Sequence, residues 1–156
     1  MSINLNATTP SAPAGTVNIA WQVDGTGNVS ANVPKGTSQV ATVDSTAQTA
    51  NIAATTLLAV TASGLFRVSG TIIVTSVGTT STMPKVTLLW TDADNSTAQT
   101  LDVTATSAGN VLTTFAQFTT VIDAKTGTNI QYQTSGYAST GSAMQYALHV
   151  RGEQYN

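Results

Sequence analysis

Between residues 129 and 150 the chain reads NIQYQTSGYASTGSAMQYALHV, and apolar and polar positions trade places along two runs separated by small polar residues. Ile130 and Tyr132, then Met144, Tyr146, Leu148 and Val150, fall on one side of the alternation; Gln131, Gln133, Gln145, His149 and Arg151 fall on the other. A period of two belongs to extended chain, where successive side chains point to opposite faces. Both runs predict antiparallel strands with one face in a core and one facing water or a neighbour.

The same rule applies upstream. Ile52, Ala54, Thr56, Leu58 and Val60 predict one strand, Phe66, Val68, Ile72 and Val74 another after the turn at Ser63 and Gly64, and Val86, Leu88 and Trp90 a third. Beyond the loop TDADNSTA come Leu101 and Val103, a turn over 107–110, and a long run over 111–122. That run carries Leu112, Ala116, Phe118 and Ile122 on one face and Val111, Phe115 and Val121 on the other, so both faces ask for burial. A second subunit would cover the outer one. About eight strands without a helical pattern predict an all-β, two-sheet sandwich, with the jelly roll among the candidates.

Residues 1 to about 15 are rich in Ser, Thr, Pro and Ala, with Pro10 and Pro13, and read as an extended arm. Val17, Ile19, Trp21 and Val23 alternate with small or polar residues, 24–28 is turn chemistry, and Val29, Ala31 and Val33 alternate again, which predicts a hairpin. The break at Pro34, Lys35 and Gly36 places a boundary between an N-terminal element, 1–36, and a main body, 37–156. An isolated hairpin is marginal in water. Val17, Ile19, Trp21 and Val23 therefore need a foreign surface, and this element is expected to attach the body to a partner.

Composition narrows the function classes. Only 8% of residues are charged, Glu153 is the one glutamate, and Thr is the commonest residue, so helix formers are scarce and a β-branched residue abounds. With 41% hydrophobic residues the chain has enough apolar surface to fold. Its net charge is −2, and Lys35, Arg67, Lys85, Lys125 and Arg151 are scattered, which argues against a nucleic-acid partner. Cysteine is absent, so packing or assembly must hold the fold. The start lacks a basic and a continuous apolar segment, and no stretch has the length of a membrane span, so neither export nor a membrane is expected.

No reactive constellation stands out. His149 is the single histidine, on the polar side of its strand, and a metal site would need further strong ligands. There is no G-x-S-x-G elbow and no phosphate loop, and GTG at 25–27 lies in the hairpin turn. Asp92, Asp94 and Asn95 begin like a calcium loop without its Gly and distal Glu. They and Tyr137, set among Ser, Thr and Gly, are the candidate ligand loops, with a host-surface glycan as the ligand class. Catalytic residues, metals and cofactors are not expected.

The segments GLFRVSGTIIVT (64–75), AKTGTNIQYQTSGY (124–137) and AMQYALHVRGEQY (143–155) resemble the trimeric jelly-roll domains of the complement C1q and tumour necrosis factor type. GTVNIAWQVDGTGNVSANVP (15–34), followed by such a domain, is similar to structural proteins of tailed bacteriophages. The resemblance implies a jelly-roll homotrimer in a virion, made in the host cytoplasm: a head decoration or head-fibre protein docked on a capsid protein. A tail-associated or glycan-binding receptor module is the alternative. Expected at the trimer interface are Phe115, Phe118, Val121, Tyr132 and Tyr146.

Overall fold

The computed structural model describes residues 39–155 and, before them, two short strands. These are β1 (Ala20–Val23) and β2 (Val29–Asn32), paired antiparallel with Val23 opposite Val29. Val17 and Ile19 lie outside the described residues. The chain divides into two units, Met1–Gly36 and Thr37–Asn156.

The second unit contains β3 (Val40–Gln48), β4 (Thr55–Ala59), β5 (Gly64–Ser76), β6 (Thr80–Met83), β7 (Lys85–Thr91), β8 (Ala98–Asp102), β9 (Ser107–Ala108), β10 (Phe115–Ala124), β11 (Asn129–Ser135), β12 (Ala138–Thr140) and β13 (Gln145–Gln154). Two four-stranded sheets run β10-β5-β13-β3 and β4-β11-β7-β8, and a small three-stranded sheet runs β12-β6-β9. All pairings are antiparallel. Among the eight strands of the two four-stranded sheets, β7 pairs with β8, β5 with β10, β4 with β11 and β3 with β13, so the pairs nest inside one another. This is a long hairpin rolled over on itself. The β13–β5 and β11–β7 contacts close each sheet, and the result is an eight-stranded jelly roll.

The core lies between the sheets. Phe66, Val68, Ile72 and Val74 of β5 and Tyr146, Leu148 and Val150 of β13 meet Val86 and Leu88 of β7 and Ile130 and Tyr132 of β11, all buried. In β5 and β11 these side chains alternate with exposed or half-buried neighbours, as a period-two reading requires, whereas Ala147 of β13 and Thr87 of β7 are buried between the core positions that flank them. Gly70 interrupts the alternation in β5 for a packing reason: a Cβ there would stand 2.6 Å from Phe118 Cζ. The ring of β10 fills the place of the missing side chain.

Three expectations are corrected. The first upstream strand covers only Thr55–Ala59, and its buried side chain is Leu57, with Val60 just beyond the strand; Leu58 is half-buried and Thr56 exposed. A register shift between Ile130 and Gln131 on the partner strand accompanies this change of phase. The long run begins at Phe115, not 111, and Leu112, expected inside, is 57% exposed on the loop before it. Finally, β3 and the strands of the small sheet have no counterpart in the hydrophobic pattern.

Candidate assembly surface

The outer face of the β10-β5-β13-β3 sheet is built in transverse rows. Val121 lies opposite Arg67, Arg67 opposite Glu153 and Glu153 opposite Val40. The next rows are Thr119, Ser69, Arg151, Thr42 and then Gln117, Thr71, His149, Asp44. Arg67 donates to Glu153 Oε1, Arg151 reaches Glu153 Oε2 at 3.2 Å, and His149 Nδ1 meets Asp44 Oδ1 at 2.7 Å. Each pair is solvent-exposed and contributes about 0–1 kcal/mol, so these contacts order the face more than they stabilise it. A shallow hollow of ≈ 330 Å³ lies over the Ser69 and Thr71 rows, with His149 and Arg151 on its wall.

One end of this polar field carries exposed apolar side chains around the Arg67–Glu153 pair. Val40 and Tyr155 are each 50% exposed, Leu65 52% and Val121 49%, and the Tyr155 N–H donates to Leu65 O at 2.9 Å, which sets their side chains in adjacent positions. Phe115, 57% exposed, stands at the other end of β10 opposite Ile73, with exposed Val111 and Leu112 on the preceding loop. Large apolar side chains gathered at an ordered sheet face mark an interaction surface. Alternation in 111–122 points to Phe115 and Val121. Leu65 escapes it because the opposite face of β5 carries the stronger signal, Val40 because β3 has no strong hydrophobic pattern, and Tyr155 because it lies just beyond the end of β13.

The other sequence candidates are placed differently. Phe118 (8% exposed), Tyr132 (3%) and Tyr146 (0%) lie in the core of the single chain, where β5, β7 and β13 already cover them. Tyr146 serves the interior: Ile52 N–H donates to Thr134 Oγ1 at 2.7 Å, Thr134 Oγ1 and Tyr146 Oη are 3.0 Å apart, and Tyr146 donates to Ala50 O at 2.8 Å. Burial pushes the Tyr146 phenol above its ordinary pKa, which keeps its proton in that chain of bonds. Tyr137 also turns inward, donating its hydroxyl to Met144 O at 2.7 Å with its ring 6.1 Å from that of Tyr146.

Asp92 accepts from the N–H groups of Asp94 and Asn95 at 3.1 and 3.2 Å, and Asn95 accepts from Thr97 N–H at 2.8 Å, so these side chains build their own turn. Asp123 sits close by; burial first, then the charges of Asp94 and Asp92, push its carboxyl above the usual range. Tyr137 follows the end of β11 and Asp92 the end of β7, and these strands are antiparallel with Ser135 opposite Lys85. The two candidate ligand loops therefore stand at opposite ends of their sheet, roughly 20 Å apart at the rise of an extended strand. They do not form one site. Among the described residues no group of three or more His, Cys, Asp or Glu is arranged to hold a metal, and no helix is long and apolar enough to cross a membrane.

No family model and no curated protein matches the chain. Solved structures that it resembles include a chain of the infectious bursal disease virus Gx strain, at 14% identity over 95% of this chain with a TM-score of 0.46. Others are a chain of the T13 particle of the same virus (16%, 91%, 0.43) and one of its VP2 subviral particle (16%, 94%, 0.42). The chain spans 41%, 36% and 41% of those chains respectively. The jelly-roll assignment rests on the strand pairings above, not on these likenesses.

Proposed function

We propose that the chain is a non-enzymatic structural subunit of a virus particle, a head decoration or head-fibre protein of a tailed bacteriophage that works as a homotrimer. The observation that carries this reading is the apolar end of the outer sheet face, Val40, Leu65, Val121 and Tyr155, which the chain itself leaves half exposed. Packing that end around a threefold axis removes it from water. Jelly rolls serve in viral capsids and also in lectins and cupins, so the fold supports the virion role by analogy and the surface supports assembly. In this reading residues 1–36, with Val17, Ile19, Trp21 and Val23, dock on a capsid protein and residues 37–156 form the trimer. A glycan-binding role draws less support, because Tyr137, Asp92 and Asn95 spend their polar groups on the chain itself.

The test is light scattering on the purified full chain, followed by its location in a cryo-EM map of the particle. The expected mass is about three times 15.9 kDa, with three copies around a local threefold on the head. A monodisperse monomer, or a particle that lacks the chain, overturns the reading.

A further inference from the structure

Strand β10 is the outermost strand of its sheet, and its free edge is fully specified by one hydrogen bond. Val74 N–H donates to Thr114 O at 3.0 Å, and the unbroken register that sets Phe115 opposite Ile73 sets Thr114 opposite Val74. Hydrogen-bonded pairs alternate in an antiparallel ladder, so Ala116, Phe118, Thr120 and Ile122 turn their backbone groups towards β5. Phe115, Gln117, Thr119 and Val121 turn theirs to the open side. Among the described residues no backbone hydrogen bond reaches these four, and the isolated bridge of Asp92 to Ala124 closes only the far end.

The remaining edges of the two four-stranded sheets are protected. Strand β4 is five residues long and faces a register shift, β8 is five residues long and ends in Asp102, and β3 carries Asp44, a left-handed Ala47 (φ 53°) and a register shift. Short length, charge and bulges are the devices that stop one sheet from adding to another. Strand β10 has ten residues, FAQFTTVIDA, with no Lys, Arg or Pro and no shift in register, and its one charge is at the bridged end.

We infer that β10 pairs antiparallel with the β10 of a second copy, so that the sheets of two subunits become one. The occupant follows from the order of the outward side chains: Phe115, Gln117, Thr119, Val121 reads apolar, polar, polar, apolar in both directions. With Phe118 opposite Phe118 of the second copy, Phe115 faces Val121, Gln117 faces Thr119, and no like charges meet. All four open residues then fall in hydrogen-bonded pairs, four pairs of two bonds each, or about eight new backbone bonds. Sliding the register by two residues sets Phe115 opposite Asp123 in one direction or Thr119 in the other, and loses the match. The inference rests on the self-assembly reading and shares only Val121 with the apolar end: Val40, Leu65 and Tyr155 lie away from the open edge, so the threefold builds trimers and β10 joins them in twos.

The test combines light scattering with amide hydrogen exchange on the full chain, wild type and two variants. Thr119→Pro removes an N–H that β5 does not use, a place where an edge strand tolerates proline; Gln117→Lys adds an edge charge. Wild type should form pairs of trimers at high concentration, with the amides of Phe115, Gln117, Thr119 and Val121 slowing at least tenfold relative to dilute protein. Both variants should stay as single trimers with unchanged circular dichroism. Protection that does not depend on concentration, or variants that assemble like wild type, overturns the pairing. Wild-type dimers that both variants reduce to monomers would uphold the pairing and sink the trimer. Wild-type trimers with fast exchange at the four amides would do the reverse.

Discussion

Gly70→Ala isolates one packing decision in the middle of the sheet. The alanine methyl would stand 2.5 Å from the carbonyl oxygen of His149 and 2.6 and 2.8 Å from Phe118 Cζ and Cε1. All three are shorter than contacts real side chains tolerate. The carbonyl cannot retreat, because β13 is paired on both sides, with β5 and with β3. Overpacking of this kind costs about 1–3 kcal/mol, while replacing glycine restrains the unfolded chain and regains about 0.4–1 kcal/mol. With three such contacts, one of them to backbone, the cost lies at the upper end of its range, and a net loss of about 2 kcal/mol follows, which lowers a urea midpoint by about 1 M at an ordinary slope. Midpoints should be compared at one protein concentration. A Phe118→Leu background removes the ring contacts but keeps the carbonyl contact, so the alanine should cost about 1 kcal/mol less there. An unchanged or raised midpoint for Gly70→Ala, or strict additivity in the cycle, would refute the reasoning.

Tyr146→Phe removes the hydroxyl that joins Thr134 to Ala50 and leaves the Ala50 carbonyl without that donor; a loss of about 1–2 kcal/mol is expected by chemical denaturation, with faster amide exchange at Ile52. Asp123→Asn should raise the melting temperature at neutral pH. An acid whose folded pKa is raised opposes folding when ionised, and the penalty fades as pH falls through that value, so the gain should vanish in acid. Asp102 has the opposite sign: hydrogen bonds from Lys85 and then Thr87 hold its carboxyl below the usual range, so its contribution is present above the ordinary carboxylate pKa and is lost as pH drops. Asp102→Asn should therefore destabilise at neutral pH and not in strong acid. Deleting residues 1–34 should leave a soluble β-rich trimer that no longer joins particles; a truncated protein that still decorates them would place the anchor in the body.

The strands legible in the sequence are those whose inner positions are large and apolar. In β5 and β13, Phe66, Val68, Ile72, Tyr146, Leu148 and Val150 carry the pattern, and all are buried. Strand β3, VATVDSTAQ, offers only half-buried Ala41 and Val43 to the core, because β13 supplies its ladder and little of its own surface is covered. The small sheet is made of TSTM, SA and AST, mostly Ser, Thr and Ala brought together by turns, and periodicity does not register such contacts. The phase of β4 depends on its bulged partner about seventy residues away, a tertiary fact without a local trace. At the surface, sequence pattern points to Phe115 and Val121, whereas the inward use of Tyr132, Tyr137 and Tyr146 depends on which face the core claims.

The nesting of strand pairs also sets a schedule for making the protein. Strands β7 and β8 meet across a short loop, but β5 must wait for β10, β4 for β11, and β3 for β13. Strand β13 sits between β5 and β3, so the first sheet has a gap at its centre until residues 145–154 have been synthesised and have left the ribosome. Every earlier nascent chain lacks that sheet's central strand. Folding of this sheet is thus dominated by distant pairings, which places the protein among the slow folders of its size, in the range of about milliseconds to seconds. During that interval β10 can pair only with β5, and the sister chains of a crowded polysome carry the same open edge.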